Sequence, residues 1–203
     1  MFENLKLNDE LTILTSSITN IDNLQLVNDL EYNCDVTIET NYGIKDSRGL
    51  QSRIHVISKN IAELRNEIMK RVIDFLKIDE DYIMTYDDWV YISENTNRNT
   101  NYHNHIDEGN MKYTKEIPQW SVVYYVQMPD NLFGTEGLLF FKTKNGEEIS
   151  ILPKNNQIIM FKSDVLHKPE LNQKSSIKRV VYATNIAILD RNKKYTKYNK
   201  SLL

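Results

Sequence analysis

From Trp89 onward the chain alternates short apolar runs with polar, turn-forming segments. "DWVYIS", "WSVVYYVQM", "GLLFFKT", "EEISIL", "QIIMF" and "RVVYATNIAIL" each have the length and the β-branched or aromatic content of a strand, and "PDN", "KNGEE" and "PKNNQ" lie between them. Many short strands in succession predict an antiparallel sandwich or barrel, not alternating βαβ units. The N-terminal part reads differently. In "NIAELRNEIMKRVIDFLKI", Ile61, Leu64, Ile68, Val72 and Phe75 recur at spacings of three and four. That period predicts a helix with one apolar stripe laid against a sheet, started by Asn60 with Glu63 three residues on as a capping pair. "ITNIDNLQLVNDLEYN" predicts a helix around Leu24 to Leu30, and "CDVTIET" alternates as a strand does.

The pattern therefore predicts a mostly β fold with flanking helices. A length of 203 residues suits one domain, 1–203, with no internal repeat or linker. Within it we expect an N-terminal helical and β support region over 1–88, a β core over 89–189 and a basic tail over 190–203.

Composition narrows the partners. The 40% hydrophobic and 26% charged residues, with only 6 Gly and 4 Pro, are those of a soluble globular protein. A net charge of −3 gives no broad footprint for a nucleic-acid backbone, so nucleic acid is not an expected partner. The start "MFENLKLNDELTIL" lacks the basic and apolar regions of a secretory signal, and no run has the length of a membrane span. The single cysteine, Cys34, cannot form an internal disulfide and is expected as a small, buried side chain, which fits the cytoplasm.

Candidate chemistry concentrates in "HNHID". In an extended segment His103, His105 and Asp107 point to one side, and imidazole plus carboxylate at that spacing can clasp a divalent metal. A further ligand must come from His55 or His167, the other two of four histidines. His55 stands alone among apolar residues in "SRIHVIS", whereas His167 follows the buried-looking strand "QIIMF" at a barrel mouth. Two histidines and a carboxylate with open positions suit non-haem Fe(II) oxygenases, and a closed structural zinc site would call for more cysteines than this chain has. The competing reading of "HNHID" is a polar loop that ligates nothing. Arg179 heads the apolar strand "RVVYATNIAIL"; burying it calls for an anion, either a ligand carboxylate or an acidic residue of the chain.

Together these residues resemble the 2-oxoglutarate- and Fe(II)-dependent dioxygenases, and within them the prolyl-hydroxylase type. His105-x-Asp107 is similar to the family's H-x-D, His167 to its distal histidine, and Arg179 to the residue that binds the far carboxylate of 2-oxoglutarate. "SVVYYVQ" resembles a T-x-x-Y-Y-L-N strand, which gives Tyr125 a hydroxyl to that carboxylate, and "EGLLFF" and "LPKNNQIIMFKSDVLHKPEL" resemble further family segments. The resemblance covers about half the chain and implies a double-stranded β-helix, or jelly roll, over 89–189, braced by N-terminal α-helices. Related phage and bacterial sequences carry H-x-H here, so His103-x-His105 is the alternative upstream pair. The distance from His167 to Arg179 is slightly long, which implies a wider turn at "NQKSS". The presence of Asp107 argues against the halogenase variant.

The resemblance implies Fe(II), 2-oxoglutarate and O2 as cofactor and co-substrates, release of succinate and CO2, and hydroxylation of an unactivated C–H bond of an amino-acid, peptidyl or other small-molecule substrate. Asn185, six positions along the strand from Arg179, faces the same side by the period of two; with Trp120 and Tyr102 it is expected near substrate or behind the ligands. "EGNMKYTKEIPQ" is expected as a lid. Two other functions remain open: a cupin-like metal-dependent dioxygenase or isomerase using His103, His105 and His167 without 2-oxoglutarate, and an inactive barrel serving as a binding module. Oligomeric state leaves no mark on the sequence.

Overall fold

Two helices and eleven strands make up the computed structural model of the protein, which describes residues 2–8, 11–39, 44–46, 49–79, 81–93, 100–106, 119–170 and 174–193. The strands are β1 (Glu3–Asn8), β2 (Leu11–Ser17), β3 (Ile44–Asp46), β4 (Gly49–Arg53), β5 (Tyr82–Ser93), β6 (Gln119–Gln127), β7 (Leu139–Lys142), β8 (Glu148–Ile151), β9 (Gln157–Lys162), β10 (His167–Pro169) and β11 (Arg179–Asp190). The helices are α1 (Asn23–Glu39) and α2 (Lys59–Leu76). The larger sheet runs β1-β2-β9-β6-β11-β5-β4-β3 and the smaller β10-β7-β8, and every pairing is antiparallel. The larger sheet thus draws strands from both halves of the chain, and position 88/89 falls inside β5.

Each face of the larger sheet has its own core. One face buries Val90, Ile92, Val122, Tyr124, Ile158, Met160, Tyr182 and Ile186 against Leu26, Leu30 and Cys34 of α1 and Ile61, Leu64, Ile68 and Val72 of α2. The other buries Ile13, Tyr125, Ile159, Phe161 and Val181 against Leu139 and Phe141 of the smaller sheet. β11 lies between both layers, which is why its sequence is almost continuously apolar where a half-exposed strand would alternate.

Two local expectations are corrected. The segment "CDVTIE" is the C-terminal part of α1 and not a strand. Leu26, Leu30 and Cys34 form an i, i+4, i+8 stripe that carries the helix through it, so the helical burial period overrides a short alternation. The start of α2 is capped by Ser58, whose hydroxyl accepts from the Ile61 N–H at 3.2 Å, two residues before the expected Asn60; Asn60 donates instead to Asp29 at 2.8 Å. The stripe of α2 is buried as expected except at Phe75, which stays partly exposed beside Phe2. Cys34 is buried, and burial pushes its thiol up to about 12, which keeps it unreactive. Asp107, most of the expected lid, part of "NQKSS" and the end of the basic tail lie outside the described residues.

Candidate metal centre

Backbone pairing assembles the site. His103 and His167 form an antiparallel bridge, with His103 N–H donating to His167 O at 3.0 Å and His167 N–H to His103 O at 2.9 Å. Directly opposed residues present their side chains to the same face, and His105, two residues on, joins them with its N–H on Ser163 O at 2.8 Å. One ligand atom from each of His103, His105 and His167 lies within 4.8 Å of the others. This brings together the alternative upstream pair His103-x-His105 and the distal His167. Lone among apolar neighbours in sequence, His55 is an exposed loop residue outside this cluster.

The orientation of each ring suits a metal. His103 Nδ1 donates to Asn101 O at 3.2 Å, His167 Nδ1 to Val165 O at 3.0 Å and His105 Nδ1 to Asn185 Oδ1 at 2.6 Å. With Nδ1 carrying the proton in each ring, the three Nε2 lone pairs are left as ligand atoms. Burial lowers the pKa of His167 to about 3, with the neighbouring His105 and His103 adding to the effect. Burial likewise lowers that of His105, although its bond to Asn185 opposes the shift. Both rings are therefore in the neutral, ligating form at neutral pH.

Asn185 anchors a small polar network behind His105. Its Oδ1 also accepts from the Ser121 hydroxyl at 2.9 Å, and Ser121 Oγ lies 2.9 Å from Ser163 Oγ. Ser121 and Ser163 were not singled out from sequence, although the period of two leads from Tyr125 through Val123 to Ser121. Replacing Asn185 by Ala is expected to weaken metal binding by about 10- to 100-fold, because outer partners fix the imidazole's tautomer and direction. A competition titration with Co(II) measures this; unchanged affinity would leave Asn185 without a part in holding the metal.

The other sequence-selected residues divide by face. Arg179 and Tyr125 lie on the same side of the larger sheet as Asn185, and the Arg179 guanidinium carbon is 5.5 Å from the centre of the Tyr125 ring. A register irregularity between Val180 and Val181 in the β6 pairing sits beside them. Arg179 is only 2% exposed, yet its Nε and Nη1, and the Tyr125 hydroxyl, have no hydrogen-bond partner among the described residues. Burial pushes the Tyr125 phenol up, against the pull of the nearby Arg179 charge. Trp120 points to the opposite face, packed on the helix-side core. Tyr102 lies on the outer face of the smaller sheet, bonded to Glu148 and with the Lys142 and Lys168 ammoniums 4.4 and 4.9 Å from its ring centre. Neither touches the histidine cluster.

Aromatic rings wall the cluster. Phe161 lies 4.6 Å and Phe141 6.4 Å from the His167 ring, both fully buried. On the other flank Trp89 lies 5.5 Å from the His105 ring and is only half-buried. Among the described residues no helix is long and apolar enough to cross a membrane.

Comparison with known proteins finds the same fold elsewhere. Residues 90–187 match the 2OG-Fe(II) oxygenase superfamily. No curated protein matches the chain by sequence. Among solved structures, a Pseudomonas putida prolyl-4-hydroxylase is similar with a TM-score of 0.57 at 12% identity, over 85% of this chain and 91% of that one. The viral collagen prolyl hydroxylase of Paramecium Bursaria Chlorella virus-1, solved with 2-oxoglutarate, is similar at 0.53 and 14% identity, over 85% and 95%. HygX from Streptomyces hygroscopicus, solved with nickel and 2-oxoglutarate, is similar at 0.60 and 10% identity, over 88% and 83%. The matched segment contains every residue of the histidine cluster together with Arg179 and Tyr125, and over that segment the chain is similar to the 2OG-Fe(II) oxygenase superfamily.

Proposed function

We propose that the protein is an Fe(II)- and 2-oxoglutarate-dependent dioxygenase that hydroxylates an unactivated C–H bond of an amino-acid, peptidyl or other small-molecule substrate. The two sheets then serve as the facing walls of a double-stranded β-helix, with α1 and α2 bracing the larger one from outside. The supporting observation is that a three-imidazole cluster shares one sheet face with a buried arginine, two of whose nitrogens have no hydrogen-bond partner among the described residues. A buried guanidinium without an anion is costly, and a dicarboxylic acid that reaches the cluster with one end brings the missing carboxylate with the other.

The residues fit the roles. His103, His105 and His167 hold the metal through Nε2, Asn185 and the carbonyls of Asn101 and Val165 hold the rings, and Arg179 with Tyr125 receives the far carboxylate of 2-oxoglutarate. Phe141 and Phe161 keep water from the His167 side. Bound iron supplies the activation of O2, of which one oxygen atom enters succinate and the other the hydroxylated product, with CO2 released. Cys34, a lone thiol, fits a cytoplasmic setting. A metal-dependent dioxygenase or isomerase without 2-oxoglutarate accords with three imidazoles, but leaves the Arg179 Nε and Nη1 without an anion among the described residues.

Anaerobic addition of Fe(II) and then 2-oxoglutarate tests the proposal. A visible charge-transfer band that requires both is expected, with succinate formed once O2 is admitted. Metal binding without any response to 2-oxoglutarate would overturn it.

A further inference from the structure

The smaller sheet covers only part of the larger one. Its side chains pack with β2, β9, β6 and β11, and among the described residues β3, β4 and β5 contribute nothing to that second core. The same face nevertheless continues across β5 and β4. Pairing of Asn185 with Asp87, Ala183 with Trp89, and Trp89 with Arg53 places Asp87, Trp89 and Arg53 on the side that carries the metal cluster. Here a half-buried indole touches His105, and Arg53 Nη1 meets Asp87 Oδ1 at 2.7 Å, with side chains 65% and 32% exposed.

We propose that this part of the face, which the described residues of the smaller sheet leave open, is the substrate platform and that it takes a free α-amino acid with an apolar side chain. The inference rests on the oxygenase reading for the chemistry, but not for the binding. The reacting C–H group must lie beside the metal, and what the chain offers there is the Trp89 ring, which suits an apolar side chain. Arg53 opposite Trp89 on β4 and Asp87 two residues before it on β5 are a cation and an anion in contact, so the rim as a whole attracts neither polyanions nor polycations. A molecule carrying a carboxylate and an ammonium on one carbon matches both at once, its carboxylate on Arg53 and its ammonium on Asp87. An exposed ion pair contributes little to the fold, so a ligand can part it at small cost. A peptide interior has neither charge, and an acidic or basic ligand meets only one partner.

The chain has 2 tryptophans, Trp89 and Trp120, and Trp120 faces the helices. Trp120→Phe therefore leaves Trp89 as a reporter. This variant, with and without Zn(II) and 2-oxoglutarate, is titrated with free L-leucine, L-isoleucine, L-valine, L-methionine, L-phenylalanine and L-proline and with their N-acetyl amides. At least one free amino acid is expected to change the fluorescence saturably, and its capped form to bind at least 10-fold more weakly. Arg53→Gln and Asp87→Asn are each expected to weaken it by 10-fold or more while the Fe(II)–2-oxoglutarate band persists. Equal binding of capped and free forms, no response to any free amino acid, or indifference to both substitutions overturns the proposal. Loss of the band in unsubstituted protein overturns the oxygenase reading instead, and the fluorescence titration still decides the platform.

Discussion

Replacing Arg179 by methionine is expected to make the metal-free protein more stable and to abolish its response to 2-oxoglutarate. The two effects have one cause. In the free protein the Arg179 guanidinium is buried beside Tyr125, and two of its nitrogens have no hydrogen-bond partner among the described residues. Exchanging buried charge for a well-packed apolar chain of similar length stabilises by about 1–4 kcal/mol in comparable cases. Removing the cation also takes the anchor from a ligand carboxylate, an interaction of the buried, hydrogen-bonded class whose loss costs about 3–5 kcal/mol, or more than 100-fold in affinity. Thermal melts of the apo form, with anaerobic titration of 2-oxoglutarate into the Fe(II) form, check both. Metal binding itself should survive, since no histidine of the cluster is altered. A variant that melts lower and still binds 2-oxoglutarate would show that Arg179 has a purely structural partner.

Metal binding is expected to vanish in His167→Ala and His103→Ala but to persist in Asp107→Ala. A metal at 1,000 times its dissociation constant stabilises the fold by about 4 kcal/mol, so the metal-dependent rise in melting temperature is a sensitive readout. His103 and His167 are held face to face by their own backbone hydrogen bonds, and with His105 they already converge on one point. Among the described residues, losing either leaves two imidazoles, too few to keep that stabilisation. If Asp107→Ala removes the shift and His103→Ala leaves it, the pair His105-x-Asp107 is the ligating one and His103 is a neighbour. Apparent metal affinity across the three variants separates these outcomes.

Much of this was legible before any coordinates, because strand alternation and side-chain chemistry are local. β6, β7, β8, β9 and β11 lie where short apolar runs end in turn residues; His167 stands out just after such a run and Arg179 as a costly residue at the head of another. What local pattern could not provide was register. That His103 stands opposite His167 and so joins His105 beside it is a pairing across the fold. Trp89, Asp87 and Arg53 escaped notice for the same reason, since only the register of β5 with β11 and β4 brings them beside His105. Trp120 could have been placed: it is an odd number of positions from Tyr125, so the period of two already turns it to the helices. The length of α1 was missed because "CDVTIE" alternates on its own, while the stripe that makes it helical begins eight residues earlier at Leu26.

β11 faces two neighbourhoods at once. Arg179 and Asn185 lie on the side of the histidine cluster, and Tyr182, Ile186 and Ile188 hold the helices on the other. A slip of one residue would exchange the two sets completely, sending a guanidinium into hydrocarbon and isoleucines towards the metal. An inserted or deleted residue in this strand is therefore lethal to fold and function together, whereas point changes on either side can be absorbed separately. The integrity of the site is in this sense a matter of counting: twelve residues of β11, clamped between β5 and β6, keep one face from becoming the other.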